Sequence, residues 1–130
     1  MVHLPFIVRT FRPFDVGTKG EKIALDFLKK RGLKILAKNY RFKKKEIDII
    51  AKDKDTICFI EVKTRTTEDF GFPEEAVDRR KIKNLLEVAI SYLKRFNLMN
   101  SDVRFDIISI FWNKNKPKID YIKDAFIAEE

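Results

Sequence analysis

The alternation of apolar and polar positions divides the chain into two helical stretches and five extended ones. Residues 1–16 contain two prolines and no clear period, which predicts an irregular arm or a short edge strand. Ile23, Ala24, Phe27, Leu28 and Arg31 then follow at helical spacing. Thr18-Lys19-Gly20-Glu21 fits a capping box, so a helix is predicted from Thr18 to a stop at Gly32. Glu21 stands one and two turns before Ala24, Leu25 and Leu28, which leans its side chain towards the buried side.

Residues 33–42 alternate as a first strand and lead into Lys43-Lys44-Lys45. A second strand is predicted from Glu46 to Ala51 and a third from Thr56 to Lys63, with Lys52-Asp53-Lys54-Asp55 as the turn. The third is apolar on both faces until its end, the pattern of a central strand covered on both sides. A polar loop from Thr64 to Pro73 precedes a long helix over 74–97. Val77, Ile82, Leu85, Leu86, Ala89, Leu93 and Phe96 form its apolar face, with Arg79, Arg80, Lys83 and Lys94 mostly outside. Val103 to Trp112 reads as a fourth strand, Asn113 to Pro117 as a turn, and Lys118 to Ile122 as a fifth strand. Ala125, Phe126 and Ile127 suit a final helical turn. Helix, strands, helix, strands predicts a single α/β domain over 17–130, a sandwich around a mixed sheet.

Composition narrows the chemistry. No run approaches 18 uncharged apolar residues, and Pro5 and Arg9 interrupt the apolar start too early for a signal peptide, so a cytoplasmic protein is expected. One cysteine, Cys58, excludes an internal disulfide framework, and Cys58 reads as a small buried hydrophobe. With one histidine, His3, near the start, no His/Cys zinc cluster can form, and a Ser-His-Asp or Cys-His arrangement would have to rest on that residue.

The formal charge is +8 and the pI about 9.6, which points to a polyanionic partner. Nine basic residues and no acidic one lie between Lys29 and Lys45. A solvated face would explain some of this run, but its length favours nucleic acid. No basic amphipathic helix carries it to a membrane surface.

The hairpin Glu46 to Lys63 holds the candidate chemistry: Glu46, Asp48, Glu61 and Lys63 are charges set in apolar strands, where an unpaired charge costs several kcal/mol. Residues two apart share a face, so Glu61 projects with Lys63 and Glu46 with Asp48. Register decides whether the pairs meet. A two-residue turn at Asp53-Lys54 puts Asp48 opposite Phe59 and diagonal to Glu61; a four-residue loop from Asp53 to Thr56 puts it directly opposite Glu61. An odd loop sends the carboxylates to opposite faces unless a bulge restores parity. Two converging carboxylates and a main-chain carbonyl make a hard oxygen site suited to Mg²⁺ or Mn²⁺, which polarises a phosphoryl oxygen and lowers the pKa of a bound water. A lysine two residues from such a glutamate can orient the water or stabilise developing negative charge. Phosphodiester hydrolysis requires this set.

Asp48, then Glu61-Val62-Lys63 on the next strand, with Glu21 on a preceding helix, resembles the PD-(D/E)XK nuclease core of type II restriction endonucleases and archaeal Holliday junction resolvases. More closely, the chain resembles the YraN-like family of small endonuclease-like proteins. The matching stretches are Gly20-Glu21 with Ala24, Asn39-Tyr40-Arg41, Glu46 to Ala51, Phe59 to Arg65, Ala76-Val77, Arg104-Phe105-Asp106 and Ala125-Phe126. The resemblance implies a restriction-endonuclease-like three-layer α/β/α sandwich with a central mixed five-stranded sheet. It also implies Asp48, Glu61 and the carbonyl of Val62 as ligands for Mg²⁺ or Mn²⁺, Lys63 at the reaction centre, and Glu21 as an auxiliary acid. The expected activity is endonucleolytic, on DNA more than RNA, with branched or structured DNA by analogy to the resolvases. The family usually has Gly where this chain has Lys45, which either closes a tight backbone approach or adds a phosphate contact.

Arg41, Lys43, Lys44, Lys45 and Arg65 are the natural phosphate contacts. Glu46 reads as a rim residue or a partner for the lysines, Arg104 and Asp106 as a structural pair, and Phe70 and Phe72 as the candidates for base stacking. A homodimer suits the cutting of two strands. The rival readings are a non-catalytic nucleic-acid-binding module, an RNA-directed nuclease, and an assembly factor whose carboxylates are paired with lysines.

Overall fold

The computed structural model of the protein describes residues 16–65, 79–113 and 116–125. Five strands lie side by side in chain order: β1 (Lys34–Phe42), β2 (Lys45–Asp53), β3 (Thr56–Arg65), β4 (Asp102–Asn113) and β5 (Lys116–Ile122). Neighbours are antiparallel except β3 and β4, which run parallel. A parallel pair needs a crossover, and α2 (Arg79–Arg95) lies between these strands in the chain. The first helix, α1 (Val16–Lys30), precedes the sheet.

The two helices cover opposite faces. On one side Leu85, Val88, Ala89, Tyr92 and Leu93 of α2 pack on Ile50, Ile57, Phe59 and Phe105. On the other, Ala24 and Leu28 of α1 pack on Ile49, Ala51, Cys58, Ile60, Ile108 and Ile110. Strand β3 feeds both clusters alternately, which is why its sequence is apolar at every position from Ile57 to Ile60. Each fully buried isoleucine or leucine contributes roughly 1.5–3 kcal/mol. The result is the expected three-layer sandwich around a mixed five-stranded sheet.

Several boundaries move. Helix α1 begins at Val16, so Thr18 is already helical and Glu21 lies in the second turn instead of closing a capping box. Phe96 falls just past the end of α2 and is 49% exposed, tilted on Tyr92 with ring centroids 4.6 Å apart, and so leaves the apolar face assigned to it. The turn expected over 113–117 shortens, because Asn113 pairs with Lys116. The N-terminal arm as far as residue 15, Phe70 and Phe72, the first turn expected of the long helix, and the last helical turn fall outside the described residues. No described helix is long and apolar enough to cross a membrane.

The decisive turn joins β2 to β3. Asp53 pairs with Thr56, leaving Lys54-Asp55 as a two-residue connection, with Lys54 in the left-handed region at φ 57°. The ladder runs back through Ile50↔Phe59 to Ile49↔Ile60, where pairing ends; continued one step, this register would set Asp48 opposite Glu61. That register is the one expected of a loop from Asp53 to Thr56, although pairing continues one step further into it.

At the far end of the sheet sits a buried ion pair. Asp106 is 1% exposed, and its carboxylate accepts from Arg104 Nε at 2.9 Å, Arg104 Nη2 at 3.0 Å, the Tyr121 hydroxyl and the Asp124 amide at 2.9 Å. Arg104 also donates to Asp53 at 3.1 Å, so the cluster ties β2, β4 and β5 together. Burial works against the guanidinium charge, but the hydrogen bond and charge of Asp106 hold its pKa above the usual value. This is the structural pair read from the sequence. Asp106→Ala leaves Asp53 as the remaining carboxylate on Arg104 and is expected to cost about 3–5 kcal/mol in urea unfolding, whereas the double change Arg104→Met with Asp106→Leu should recover most of that loss.

Candidate active site

The site begins where the β2–β3 ladder stops. Ile49↔Ile60 is its last pair, and beyond it the Val62 amide donates to the Asp48 carboxylate at 2.8 Å instead of to a main-chain carbonyl. Ile47 packs in the α2-side cluster and Ile49 in the α1-side cluster, so strict alternation breaks across Asp48. In a strand a residue's N–H and C=O point to the same edge. The Val62 carbonyl therefore also faces the gap opened at Asp48.

Across that gap Asp48 and Glu61 line one cavity, and each carboxylate lies within the other's field. Burial, then the charge of Glu61, pushes the Asp48 carboxyl up to about 8, against the Val62 amide, which lowers it; Glu21 adds a further upward push. Glu61 is 6% exposed. Its Oε2 receives two ammonium groups, Lys81 Nζ at 2.7 Å and Lys63 Nζ at 3.5 Å. Burial disfavours the Lys81 charge, but the hydrogen bond and charge of Glu61, with the charge of Asp48, outweigh it and raise its pKa.

Lys81 does not stand out in the sequence. It belongs to the basic series Arg79, Arg80, Lys81 and Lys83 at the start of α2, and helical phase alone does not show that it reaches across to β3. Its one signal is a place one turn before the buried Leu85.

Glu21 is close enough to contribute to the Asp48 shift and accepts from Asn39 Nδ2 at 3.4 Å. Asn39 sits in the left-handed region at φ 49°, on the stretch Asn39-Tyr40-Arg41 that is part of the resemblance. The preceding residue explains the approach of α1. A Cβ on Gly20 would collide with the Thr64 side chain, so only glycine lets this turn of helix settle on the end of β3.

A cavity of about 300 Å³ opens over the carboxylates, with Lys44, Lys45, Glu46, Lys81 and Asn84 around it. Lys45 makes an ion pair with Glu87 of α2, and its backbone is not left-handed, so the departure from glycine introduces no strain there. The left-handed residue of the β1–β2 turn is Lys43, at φ 59°. Lys43 and Lys44 lie on that turn, at the surface. Arg41 lies 3.8 Å from Glu46, which places Glu46 on the rim beside a basic partner. Arg65 ends β3, half-buried. Asp48, Glu61, Lys63 and Glu21 thus come together, and of the expected phosphate contacts Lys44 and Lys45 line the cavity, whereas Arg41 reaches only Glu46 on its rim and Lys43 lies over the Phe42 ring.

The donor set fits a hard divalent cation in one respect: the half-buried Asp48 and the buried Glu61 would repel each other if both were charged, and a cation between them would relieve that repulsion. Among the described residues no three His, Cys, Asp or Glu side chains group as a metal cage. Asp48, Glu61 and the Val62 carbonyl would therefore leave the remaining positions to water, the usual habit of Mg²⁺.

The model of the uncharacterised protein family UPF0102 matches residues 20–110. Among curated relatives, a UPF0102 protein of Caldanaerobacter subterraneus subsp. tengcongensis is 46% identical over 114 residues, covering 85% of this chain and 93% of its own. One from Chlorobium phaeobacteroides is 43% identical over 125 residues, covering 92% and 99%. One from Clostridioides difficile is 46% identical over 112 residues, covering 86% and 96%. Among solved structures, Pyrococcus furiosus SfsA in complex with Ca²⁺ aligns with a TM-score of 0.39 and 16% identity over 82% of this chain and 62% of that one. A likeness that distant carries no argument about activity.

The Asp48 shift makes a pH prediction for the metal-free protein. Asp48 keeps its proton in the folded state up to about pH 8, while the unfolded chain releases it near the ordinary value of 3.8. The folded state thus binds the extra proton over that window, and stability falls as pH rises through it. Asp48→Asn, which can still accept from Val62, should abolish this decline and raise the unfolding midpoint at pH 8. Chelator-treated samples unfolded at pH 6 and pH 8 test it; equal pH slopes in both proteins would refute it.

Proposed function

Because the chain belongs to the uncharacterised protein family UPF0102, and its own site is built from paired carboxylates and lysines, we propose that it is a metal-dependent endonuclease hydrolysing phosphodiester bonds in DNA. The observation that carries the reading is that Asp48, held by the Val62 amide, and Glu61 line one cavity at an opened strand pair, with Lys63 3.5 Å from the same glutamate. When bound, Mg²⁺ or Mn²⁺ would supply Lewis-acid polarisation of the phosphoryl oxygen and lower the pKa of water. Asp48, Glu61 and the Val62 carbonyl would hold the ion. Lys63, tethered two residues from Glu61, orients the attacking water and stabilises negative charge as it develops on the phosphoryl oxygens. Glu21, fixed through Asn39 and the Gly20–Thr64 contact, is an auxiliary acid.

The basic side chains give the site its substrate class. Lys44 and Lys45 line the cavity, Arg41 and Lys43 lie near it at the end of β1 and in the β1–β2 turn, and Arg65 ends β3; these would contact backbone phosphates and not base edges. Structured or branched DNA suits a groove that reads backbone shape. The protein would act on DNA in the cytoplasm, and two copies would be needed to cut both strands.

A second reading has one observation in its favour. Glu61 already has two ammonium partners, as expected of a non-catalytic nucleic-acid-binding module whose buried acid is structurally paired. Incubation with single-stranded, duplex and branched DNA, and with RNA, in Mg²⁺ or Mn²⁺ separates the two. Cleavage should fall by about 10²–10³-fold in Asp48→Ala and in Lys63→Ala, the scale of losing a charge-stabilising group. No cleavage of any substrate, with no calorimetric metal binding, would leave the binding module; preferred cleavage of RNA would move the substrate.

A further inference from the structure

Glu61 Oε2 is contacted by Lys81 at 2.7 Å and by Lys63 at 3.5 Å, so the closer ammonium comes from the helix and not from the motif strand. A divalent cation bonded to that oxygen at ~2.1 Å would claim much the same space and repel the ammonium strongly. The two lysines are not equally able to leave. Lys63 is on the strand that carries Glu61, with its side chain 24% exposed. Lys81 reaches over from α2 on a four-carbon stem, and its side chain is 38% exposed where it borders the 300 Å³ cavity. Swinging away from Glu61 would take its ammonium into that space, beside Asn84 and towards Lys44. There Lys81 and Lys44 would offer a phosphate two flexible point charges and Asn84 a neutral amide donor.

We infer that Lys81 is a displaceable counter-ion: it neutralises Glu61 while no metal is bound, and on metal binding it transfers to a phosphate of the nucleic-acid substrate in the adjoining cavity. The inference rests on the metal-dependent reading of the site. It makes Lys81 a substrate-positioning residue coupled to metal occupancy. Metal and substrate then bind cooperatively, because each favours the same outward position of one side chain. Without metal the ammonium stays on Glu61, and the cavity lacks one of its phosphate donors.

Two measurements on Lys81→Met and Lys81→Arg test this. The first is Mn²⁺ binding by calorimetry: Lys81→Met should bind about tenfold more tightly than wild type, since a competing charge is gone, while Lys81→Arg should stay within about twofold. The second is the salt dependence of binding to labelled duplex and branched DNA, with and without non-hydrolysing Ca²⁺. With Ca²⁺, Lys81→Met should reduce the slope of log K against log salt by about 0.9, one phosphate contact; without Ca²⁺ the slope should not change. Tighter Mn²⁺ binding with the same slope as wild type in Ca²⁺ would overturn the transfer and leave Lys81 as a structural partner of Glu61. A slope lowered equally with and without Ca²⁺ would also overturn it, because the contact would then be independent of the metal. If wild type binds no Mn²⁺ at all, this inference falls together with the proposed function; if wild type binds Mn²⁺ and Lys81→Met does so no better, it falls alone. Far-ultraviolet circular dichroism of each variant excludes misfolding as the cause.

Discussion

The arrangement depends on a strand pair that stops pairing at the right place. From Asp53↔Thr56 to Ile49↔Ile60 the β2–β3 ladder is regular, and then a carboxylate replaces a carbonyl as the acceptor for the Val62 amide. A main-chain bond at that step would have kept the strands closed. The substitution ties Asp48 to the Val62 amide, beside Glu61, where both acids line the cavity under α2. Meanwhile β3 keeps its parallel partner as far as Arg65↔Phe111, so the opened strand remains held along its other edge.

Two aspartates set in the strands of this sheet differ in their surroundings. Asp106 meets two guanidinium nitrogens, a hydroxyl and an amide, so every demand of its charge is met within the fold. Asp48 meets one amide and another acid, and burial beside that acid keeps it protonated up to about pH 8. A completed network fixes an architecture; an incomplete one is an invitation to a ligand. The same residue type, on strands of one sheet, thus meets opposite surroundings.

Much of this was legible in one dimension. The unbroken apolar run from Ile57 to Ile60 announced a doubly covered strand, and the spacing of Glu61 and Lys63 placed them on one face. The register of the Lys54-Asp55 turn was open in the sequence, because the polar run from Lys52 to Asp55 supports more than one pairing and the choice is made by packing on both faces. Lys81 was invisible for a different reason. Its contact with Glu61 is set by how α2 lies across the sheet, and no local pattern encodes that. The cap expected at Thr18 fails because the helix starts at Val16, ahead of the apolar period that signals it. Glu21 kept its position despite that error, since Gly20 against Thr64 sets where the helix touches the sheet.

The Val62 amide offers one more consequence. In most sheets an interior amide hydrogen reports only whether the strand is intact. Here that proton is shared with the acid at the centre of the site. Its nuclear magnetic resonance frequency should therefore move with the protonation of Asp48, and again with any cation that replaces the proton. A single backbone resonance, at a site whose described residues include no tryptophan or histidine, would serve as a built-in spectroscopic probe of its occupancy.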